Sequence, residues 1–308
     1  MTDRDATARL LPWSDLVDAL RTAVVELADG HIRCPARQVE PLQGGGALLS
    51  MLAAAPDCAI HKLIAVVPDN PARGLPTIAG QVSVVDGATG ALRLVLDGAT
   101  VTARRTAALS MLGIATLLGR PPHHVLLAGT GAQARHHAQA LAALYPQALL
   151  GVAGRTAESA VRFCADLDGI DARPALLARP EPDVDVVITC TTSREPVYTQ
   201  PAQAGRLIIA TGVFHPDAAE IGAETVRASR LFVDDRLGAA HEAGDLIRAG
   251  VDWGHVHAIA AAIGHNAPAH GEAVLFKTVG CAAWDLAAAR VALARLDYDG
   301  GAEDLSAG

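Results

Sequence analysis

Residues 124–134 read HVLLAGTGAQA, and this stretch decides the fold class of the chain. It begins as an apolar strand and turns at two glycines, after which Arg135 to Leu141 continue as a helix. The glycines permit a tight turn and a close backbone approach, and the first turn of the helix offers unpaired N–H groups to a pyrophosphate. The stretch therefore predicts a βα unit that binds a dinucleotide; the alternative is a glycine turn that binds nothing. The residues predicted to contact the cofactor are Gly129, Thr130, Gly131, Ala132 and Gln133.

The segments that follow this unit alternate between strands and helices. Helices are predicted near 131–144 and 157–167, and a last long helix over 276–296. Apolar strands are predicted at 148–154, 184–190, 206–212 and 230–235. Such alternation is typical of a parallel sheet of the nucleotide-binding, Rossmann type.

The segments before residue 120 have a different period. A helix with Ser14 as its N-cap is predicted to end at Gly30, and an alanine-rich helix over 100–118 is predicted to stop at Pro121 and Pro122. Short apolar runs predict strands at 47–52, 59–67, 78–86 and 91–98, with a hairpin turn at 87–90. The fold class is therefore α/β, with a Rossmann-type domain of residues 120–282 and a second, α+β domain of residues 1–119 and 283–308.

Composition excludes several classes of protein. The chain has 308 residues, of which 51% are hydrophobic, and a net charge of -8, which disfavours a nucleic-acid partner held by general electrostatics. No run of 18 apolar residues and no signal peptide is recognised, so we expect no membrane partner. Five scattered cysteines without a CxxC pair predict reduced thiols and a cytoplasmic location. No metal site is expected, because the paired histidines (123–124, 136–137, 255 and 257) lack ligand spacing and are predicted to be solvated or capping.

The end of the second strand indicates which dinucleotide binds. Sites that prefer NAD place a carboxylate there, whereas this chain has Arg155 followed by Thr156. A guanidinium can hold a 2′-phosphate by paired, charge-assisted hydrogen bonds. NADPH is therefore the predicted cofactor, with NADH as the weaker possibility; an exposed loop arginine without a ligand is the alternative.

Four motifs together carry a resemblance to a known family. They are 68–71 (PDNP) leading to 74–77 (GLPT), 97–100 (DGAT) leading to 102–108 (TARRTAA), the GTGAQA turn, and 189–193 (TCTTS). With them the chain resembles the ornithine cyclodeaminase and μ-crystallin family from about Arg37 to Leu286. The resemblance implies a homodimer whose protomers have a Rossmann domain and a substrate-binding domain that completes the dimer interface by sheet association.

The resemblance also implies site residues. The family's substrate-carboxylate clamp falls on Arg37, Lys62 and Arg105, with Arg105 also near the cofactor. Lys62 interrupts the apolar run AIHKLIAVV, where an unpaired ammonium is costly and an anionic ligand would compensate it. A lysine that snorkels from a strand edge and an arginine in a structural salt bridge are the alternatives for Lys62 and Arg105. Near the cofactor's ribose and nicotinamide the resemblance places Thr77, Thr191, Thr192, Ser193 and Lys277.

One segment departs from the family's pattern. Ornithine cyclodeaminases carry an aspartate in a segment G-x-D-x-P-G-K-x-E-L, and that carboxylate acts as a base. Here residues 212–221 read GVFHPDAAEI, so Phe214 replaces the aspartate and Ala218 the lysine. A phenyl ring cannot accept a proton, so cyclodeaminase chemistry through this position is excluded. The branch without the aspartate resembles the ketimine reductases.

These features predict an NADPH-dependent reductase of the cyclic imino acids Δ1-pyrroline-2-carboxylate and Δ1-piperideine-2-carboxylate, which forms proline and pipecolate. Phe214 would border the ring of the substrate. Lys62 is the first candidate for a proton donor, and His215 is the second. A cyclodeaminase or amino-acid dehydrogenase, and a non-enzymatic protein of the μ-crystallin type that holds NADPH and a ligand, are the alternatives.

Overall fold

Two β-sheets organise the chain in the computed structural model, which describes residues 2–264, 267–269 and 271–304. The chain forms two compact units. The boundary between them lies between Arg105 and Thr106, and the chain returns to the first unit at Cys281. The division lies inside a helix that no proline interrupts, whereas the sequence predicts the domain boundary near residue 120, where Pro121 and Pro122 follow the helix. We describe each unit by itself.

The chain contains ten α-helices and thirteen strands among the described residues. The helices are α1 (Arg4–Arg9), α2 (Trp13–Ala28), α3 (Gly98–Gly113), α4 (Ala132–Leu144), α5 (Ala157–Ala165), α6 (Ala223–Arg227), α7 (Arg236–Glu242), α8 (Gly244–Ala249), α9 (Ile259–Gly264) and α10 (Ala282–Asp304). The strands are β1 (Gln38–Pro41), β2 (Ala47–Ala54), β3 (Cys58–Val66), β4 (Ile78–Asp86), β5 (Leu92–Asp97), β6 (His124–Ala128), β7 (Leu149–Ala153), β8 (Arg173–Pro174), β9 (Val186–Thr189), β10 (Leu207–Ala210), β11 (Arg230–Val233), β12 (Val256–Ala258) and β13 (Val274–Lys277).

The first unit contains an antiparallel sheet in which β1 to β5 lie in chain order. The predicted hairpin between β4 and β5 is confirmed: Gly90, at φ 70°, donates its N–H to the carbonyl of Asp86 over 3.0 Å. Alternate side chains point to opposite faces of a strand, so every second residue of β3 from Cys58 to Ile64 lies on its buried face. Lys62 is one of these buried residues, on the central strand of the sheet.

The second unit contains the predicted parallel sheet, in the order β12-β11-β13-β10-β9-β6-β7-β8. All its strand pairs are parallel, so the carboxyl ends of the strands share one edge. Strand β6 is the first along the chain, and the next two extend the sheet to one side before β9 adds on the other. Ligands of open α/β sheets bind at such a switch point, outside the carboxyl ends of the strands.

Three details differ from the sequence prediction. Helix α2 begins at Trp13 after Pro12, because the fixed φ of proline suits the residue before a helix, so Ser14 is not its N-cap. Helix α3 continues into a π-helical segment (Ile114–Leu118), and Gly119, with a φ of 69°, closes it before the two prolines. The segment 276–296 is not one helix: Phe276 and Lys277 end β13, and α10 starts only at Ala282.

Within the part of the chain that the structure describes, every helix is too short or too polar to cross a membrane.

Candidate functional site

The turn after β6 has the form of a phosphate cradle. Gly129 has φ 132°, and a Cβ atom there would lie 2.9 Å from the carbonyl oxygen of Cys190, so only glycine fits. Gly131 precedes α4 in an extended conformation, and no side chain of the described residues caps this helix. The first N–H groups of α4 therefore lack a side-chain cap, and the buried Oε1 of Gln133 has no hydrogen-bond partner among the same residues. The donors and the open turn fit the pyrophosphate of a dinucleotide.

The neighbouring strand β7 ends level with β6, because Ala128 is in register with Ala153. Arg155 is exposed in the loop that follows. The hydroxyl of Thr156 accepts the N–H of Ser159 over 3.2 Å and caps α5, while the Thr156 N–H donates to Ser159 Oγ. Sequence reasoning missed this capping box, which the spacing of two hydroxyl residues could have revealed.

The loops after β9 and β10 are joined by one buried carboxylate. Glu220 accepts the N–H of Thr191 over 2.7 Å, the hydroxyl of Thr191 over 2.8 Å and the N–H of Gly212 over 2.7 Å. Burial raises the pKa of Glu220, and the charge of Lys277 opposes this shift. Sequence reasoning treated Glu220 only as part of the departing segment, although a glutamate between Ala219 and Ile221 was a visible signal.

Lys277 and Asp245 extend this network. The Lys277 ammonium lies 2.8 Å from Asp245 Oδ2 and donates to the carbonyl of Val213 over 2.6 Å. Asp245 Oδ1 accepts the N–H groups of Glu220 and Ile221. Lys277 has no exposed surface. The observed contacts of Lys277 hold the loop after β10, and its predicted role in cofactor binding stays a prediction.

The other predicted residues of this edge lie where their strands end. Ser193 donates its N–H to Thr191 Oγ1 over 3.3 Å, and Thr192 is exposed. Phe214, two residues beyond Gly212, is partly buried and stacks on the ring of His215 at 4.9 Å between centroids. The turns after β6, β7, β9 and β10 therefore lie along one edge of the parallel sheet.

In the first unit, two predicted cations lie around one carboxylate. Lys62 donates to Asp285 Oδ2 over 2.6 Å, and the Nε of Arg105 lies 3.4 Å from Asp285 Oδ1. Lys62 is 1% exposed on a central strand, so it does not snorkel from a strand edge. Burial lowers the pKa of Lys62 to about 8, while Asp285 acts to raise it and the charges of Arg105 and Arg37 to lower it.

Sequence reasoning missed Asp285, although the aspartate interrupts the apolar run AAWDLAAA much as Lys62 interrupts its own strand. The two cations exceed the one carboxylate, and Arg37, partly buried before β1, adds a third positive charge to the electrostatics of Lys62. Thr77, which precedes β4, accepts the N–H of Val67 through its carbonyl. This cluster can bind an anion.

The histidines correct one prediction. His137 is fully buried: its Nδ1 lies 2.8 Å from the carbonyl of Gln133 and its Nε2 lies 2.9 Å from the hydroxyl of Ser110. Burial lowers its pKa to about 4, so it is a neutral core histidine rather than a solvated or capping one. His124 is also buried, and a ligand atom of each of His124, Glu181 and Asp183 lies within 4.8 Å of the others near the start of β6.

The sequence was also compared with models of known families. The model of the ornithine cyclodeaminase/mu-crystallin family matches residues 1–298. This chain belongs to that family. A family relative from Azospirillum brasilense, named Delta(1)-pyrroline-2-carboxylate/Delta(1)-piperideine-2-carboxylate reductase, is 53% identical over 300 residues, which are 94% of each chain. The ketimine reductase mu-crystallin of Mus musculus is 31% identical over 286 residues, which are 90% of each chain.

A solved structure has a similar fold. It is the Delta(1)-pyrroline-2-carboxylate reductase of Thermococcus litoralis in complex with NADH and L-proline, with a TM-score of 0.87 and 26% identity. The match covers 96% of this chain and 97% of that one. The α/β fold with a Rossmann-type parallel sheet is thus confirmed.

Proposed function

We propose that this family member reduces the cyclic ketimine acids Δ1-pyrroline-2-carboxylate and Δ1-piperideine-2-carboxylate to proline and pipecolate with NADPH. The observation that carries the proposal is the excess of buried positive charge around Asp285 in the first unit. A buried cation without a counter-charge is costly, so this cluster favours a ligand with a carboxylate. The 53% identity to the Azospirillum brasilense reductase supports cyclic imino acids as that ligand.

Lys62, Arg105 and Arg37 hold the substrate carboxylate in this proposal. One N–H of the Lys62 ammonium is engaged by Asp285, which leaves two donors for an anion. The guanidinium of Arg105 offers a planar set of donors that matches a carboxylate. Phe214 supplies an apolar surface at the carboxyl edge of the parallel sheet and would border the ring of the substrate.

The turn after β6 holds the dinucleotide, through the N–H groups at the start of α4. Arg155 faces solvent and supplies a cation for a 2′-phosphate, and no carboxylate stands in residues 154–156 to favour NADH. Thr191, Thr192 and Ser193 lie beyond β9 at the same edge, next to the switch point. Reduced nicotinamide, when bound, supplies a hydride for the imine carbon.

The chain has to supply little further chemistry. A protonated cyclic imine is already electrophilic, so the residues mainly position and desolvate it. Lys62, with a pKa of about 8, is largely charged at neutral pH and can give a proton to the ring nitrogen, after which solvent returns it. Phe214 cannot act as the base that ring closure of ornithine requires.

An assay with purified protein tests this function. We expect NADPH to be oxidised with each cyclic ketimine acid, proline or pipecolate to accumulate in equal amount, and NADH to support a slower rate. Absence of oxidation with both acids and both cofactors would refute the reductase and leave the ligand-binding protein and the other enzymes as alternatives. Release of ammonia from ornithine would instead restore the cyclodeaminase.

We further propose that the protein is a homodimer, on the basis of its family. Light scattering after gel filtration measures this directly. A mass twice that of the chain is expected, and a mass equal to one chain would contradict the proposal.

A further inference from the structure

Asp285 lies at the centre of the cation cluster, although no motif pointed to it. It is fully buried in the first turn of α10, where the helix dipole favours a negative charge. Its Oδ2 accepts a hydrogen bond from Lys62 over 2.6 Å. The pair joins residues 223 positions apart in the sequence, so packing alone brings them together.

The other half of the carboxylate is incompletely satisfied. Asp285 Oδ1 and the Nε of Arg105 lie 3.4 Å apart, and neither has a hydrogen-bond partner among the described residues. Arg105 therefore contacts this half of the carboxylate as an ion pair without a hydrogen bond, so Lys62 is the cation that Asp285 binds most closely.

Few charged groups act on the Lys62 ammonium. On β2 and β4 its direct neighbours are Met51 and Val82, which carry no charge. Among the charged groups, Arg105 and Arg37 repel an ammonium, and Asp285 is the group that attracts it. At 1% exposure, water does not compensate for the loss of that attraction.

We propose that Asp285 is a positioning residue that keeps Lys62 charged, and so able to hold the carboxylate of the substrate. This inference rests on the proposed function of the cluster. Without the carboxylate, desolvation and two positive neighbours would act on the ammonium unopposed, and Lys62 would lose its proton. A neutral amine binds an anion weakly and has no acidic proton to give to an imine.

The scarcity of lysine makes the charge of Lys62 directly measurable. Lys62 and Lys277 are the only lysines in the chain, so protein labelled with ¹³C at lysine Cε gives two side-chain signals by NMR. Substitution Lys277→Arg assigns them. The Lys62 signal is expected to titrate near pH 8 in the unaltered protein. In Asp285→Asn the midpoint is expected to fall by about one to three pH units, since a nearby opposite charge shifts a pKa by that amount.

Two further variants show whether the charge of Asp285 or its packing sets the midpoint of Lys62. Asp285→Glu keeps the charge and should restore most of the midpoint. Asp15→Asn removes a surface partner of Arg295, which lies on α10 as Asp285 does, and should leave the Lys62 midpoint unchanged. If Asp285→Asn does not fold, the Lys62 midpoint of the unaltered protein and of Asp285→Glu still decides, because a midpoint below neutral pH would show that the carboxylate does not keep Lys62 charged and would overturn the proposal. An unchanged midpoint in a folded Asp285→Asn would do the same.

Binding of a simple carboxylate tests whether the charge of Lys62 serves to hold an anionic ligand. Cyclopentanecarboxylate has the shape of a five-membered ring acid and no nitrogen to titrate. By calorimetry at pH 8, we expect Asp285→Asn to bind it at least about fivefold more weakly than the unaltered protein, with the difference shrinking as the pH falls. Equal binding at pH 8 would overturn the proposal. The lysine titration needs no turnover. If the reductase assay fails while Lys62 titrates as expected, the proposed function is refuted and the role of Asp285 toward Lys62 is not.

Discussion

Substitution Lys277→Met tests the buried network that joins the loops of the parallel sheet. The ammonium has no exposed surface, lies 2.8 Å from Asp245 Oδ2 and donates to the carbonyl of Val213 over 2.6 Å. Methionine fills a similar volume but leaves the Asp245 carboxylate buried without its cation. Removal of one partner of a buried pair costs about 3–5 kcal/mol, so the free energy of unfolding should fall by that amount.

The loss of stability in Lys277→Met should depend on pH, because Glu220 lies in the same network. Its pKa is raised in the folded protein by burial, while the charge of Lys277 lowers it. A carboxyl with a raised folded pKa loses its contribution to stability as the pH rises through that pKa. Removing Lys277 raises the pKa of Glu220 further. The deficit of Lys277→Met should therefore be larger at pH 8 than at pH 5.

Urea denaturation followed by circular dichroism at both pH values measures the deficit. Arg230→Met is the matched control, because it breaks the partly exposed pair of Arg230 with Glu272 in the same unit and should cost at most about 1 kcal/mol. In the double variant Lys277→Met, Asp245→Asn the orphaned charge is gone, so part of the stability should return. If Lys277→Met costs no more than the control at pH 8, the ion pair does not stabilise this unit.

Three other substitutions test the proposed site. Arg155→Asp removes an exposed cation and adds a charge that repels the 2′-phosphate. The ratio of kcat/KM for NADPH over that for NADH should therefore fall at least about tenfold. An unchanged ratio would show that Arg155 does not bind the 2′-phosphate. Lys62→Arg keeps the charge but cannot give up a proton, and should lower kcat with a cyclic ketimine acid about 100-fold or more, whereas full turnover would exclude Lys62 as the donor. Gly129→Ala forces φ 132° on alanine and a Cβ 2.9 Å from the Cys190 carbonyl, so calorimetry should detect no NADPH binding; tight binding would contradict the close approach.

Local periodicity in the sequence was enough for most of the fold. The apolar runs predicted β2 to β5 and the strands β6, β7, β9, β10 and β11, since alternation and turn residues are local properties of the chain. It was not enough at β13, where Phe276 and Lys277 were assigned to a helix. An apolar run of four residues suits a buried strand and a helix alike, and only its place between β10 and β11 decides.

The sequence by itself determined the family, the glycine turn after β6, the cation in place of a carboxylate after β7 and the loss of the base at Phe214. Each of these is encoded in one or a few contiguous stretches, so the order of residues is sufficient. Only the tertiary structure decided that Lys62 faces Asp285, and that Glu220, Asp245 and Lys277 share one network. Buried charges have to find partners wherever packing brings them, and those partners lie 8 to 223 residues away along the chain.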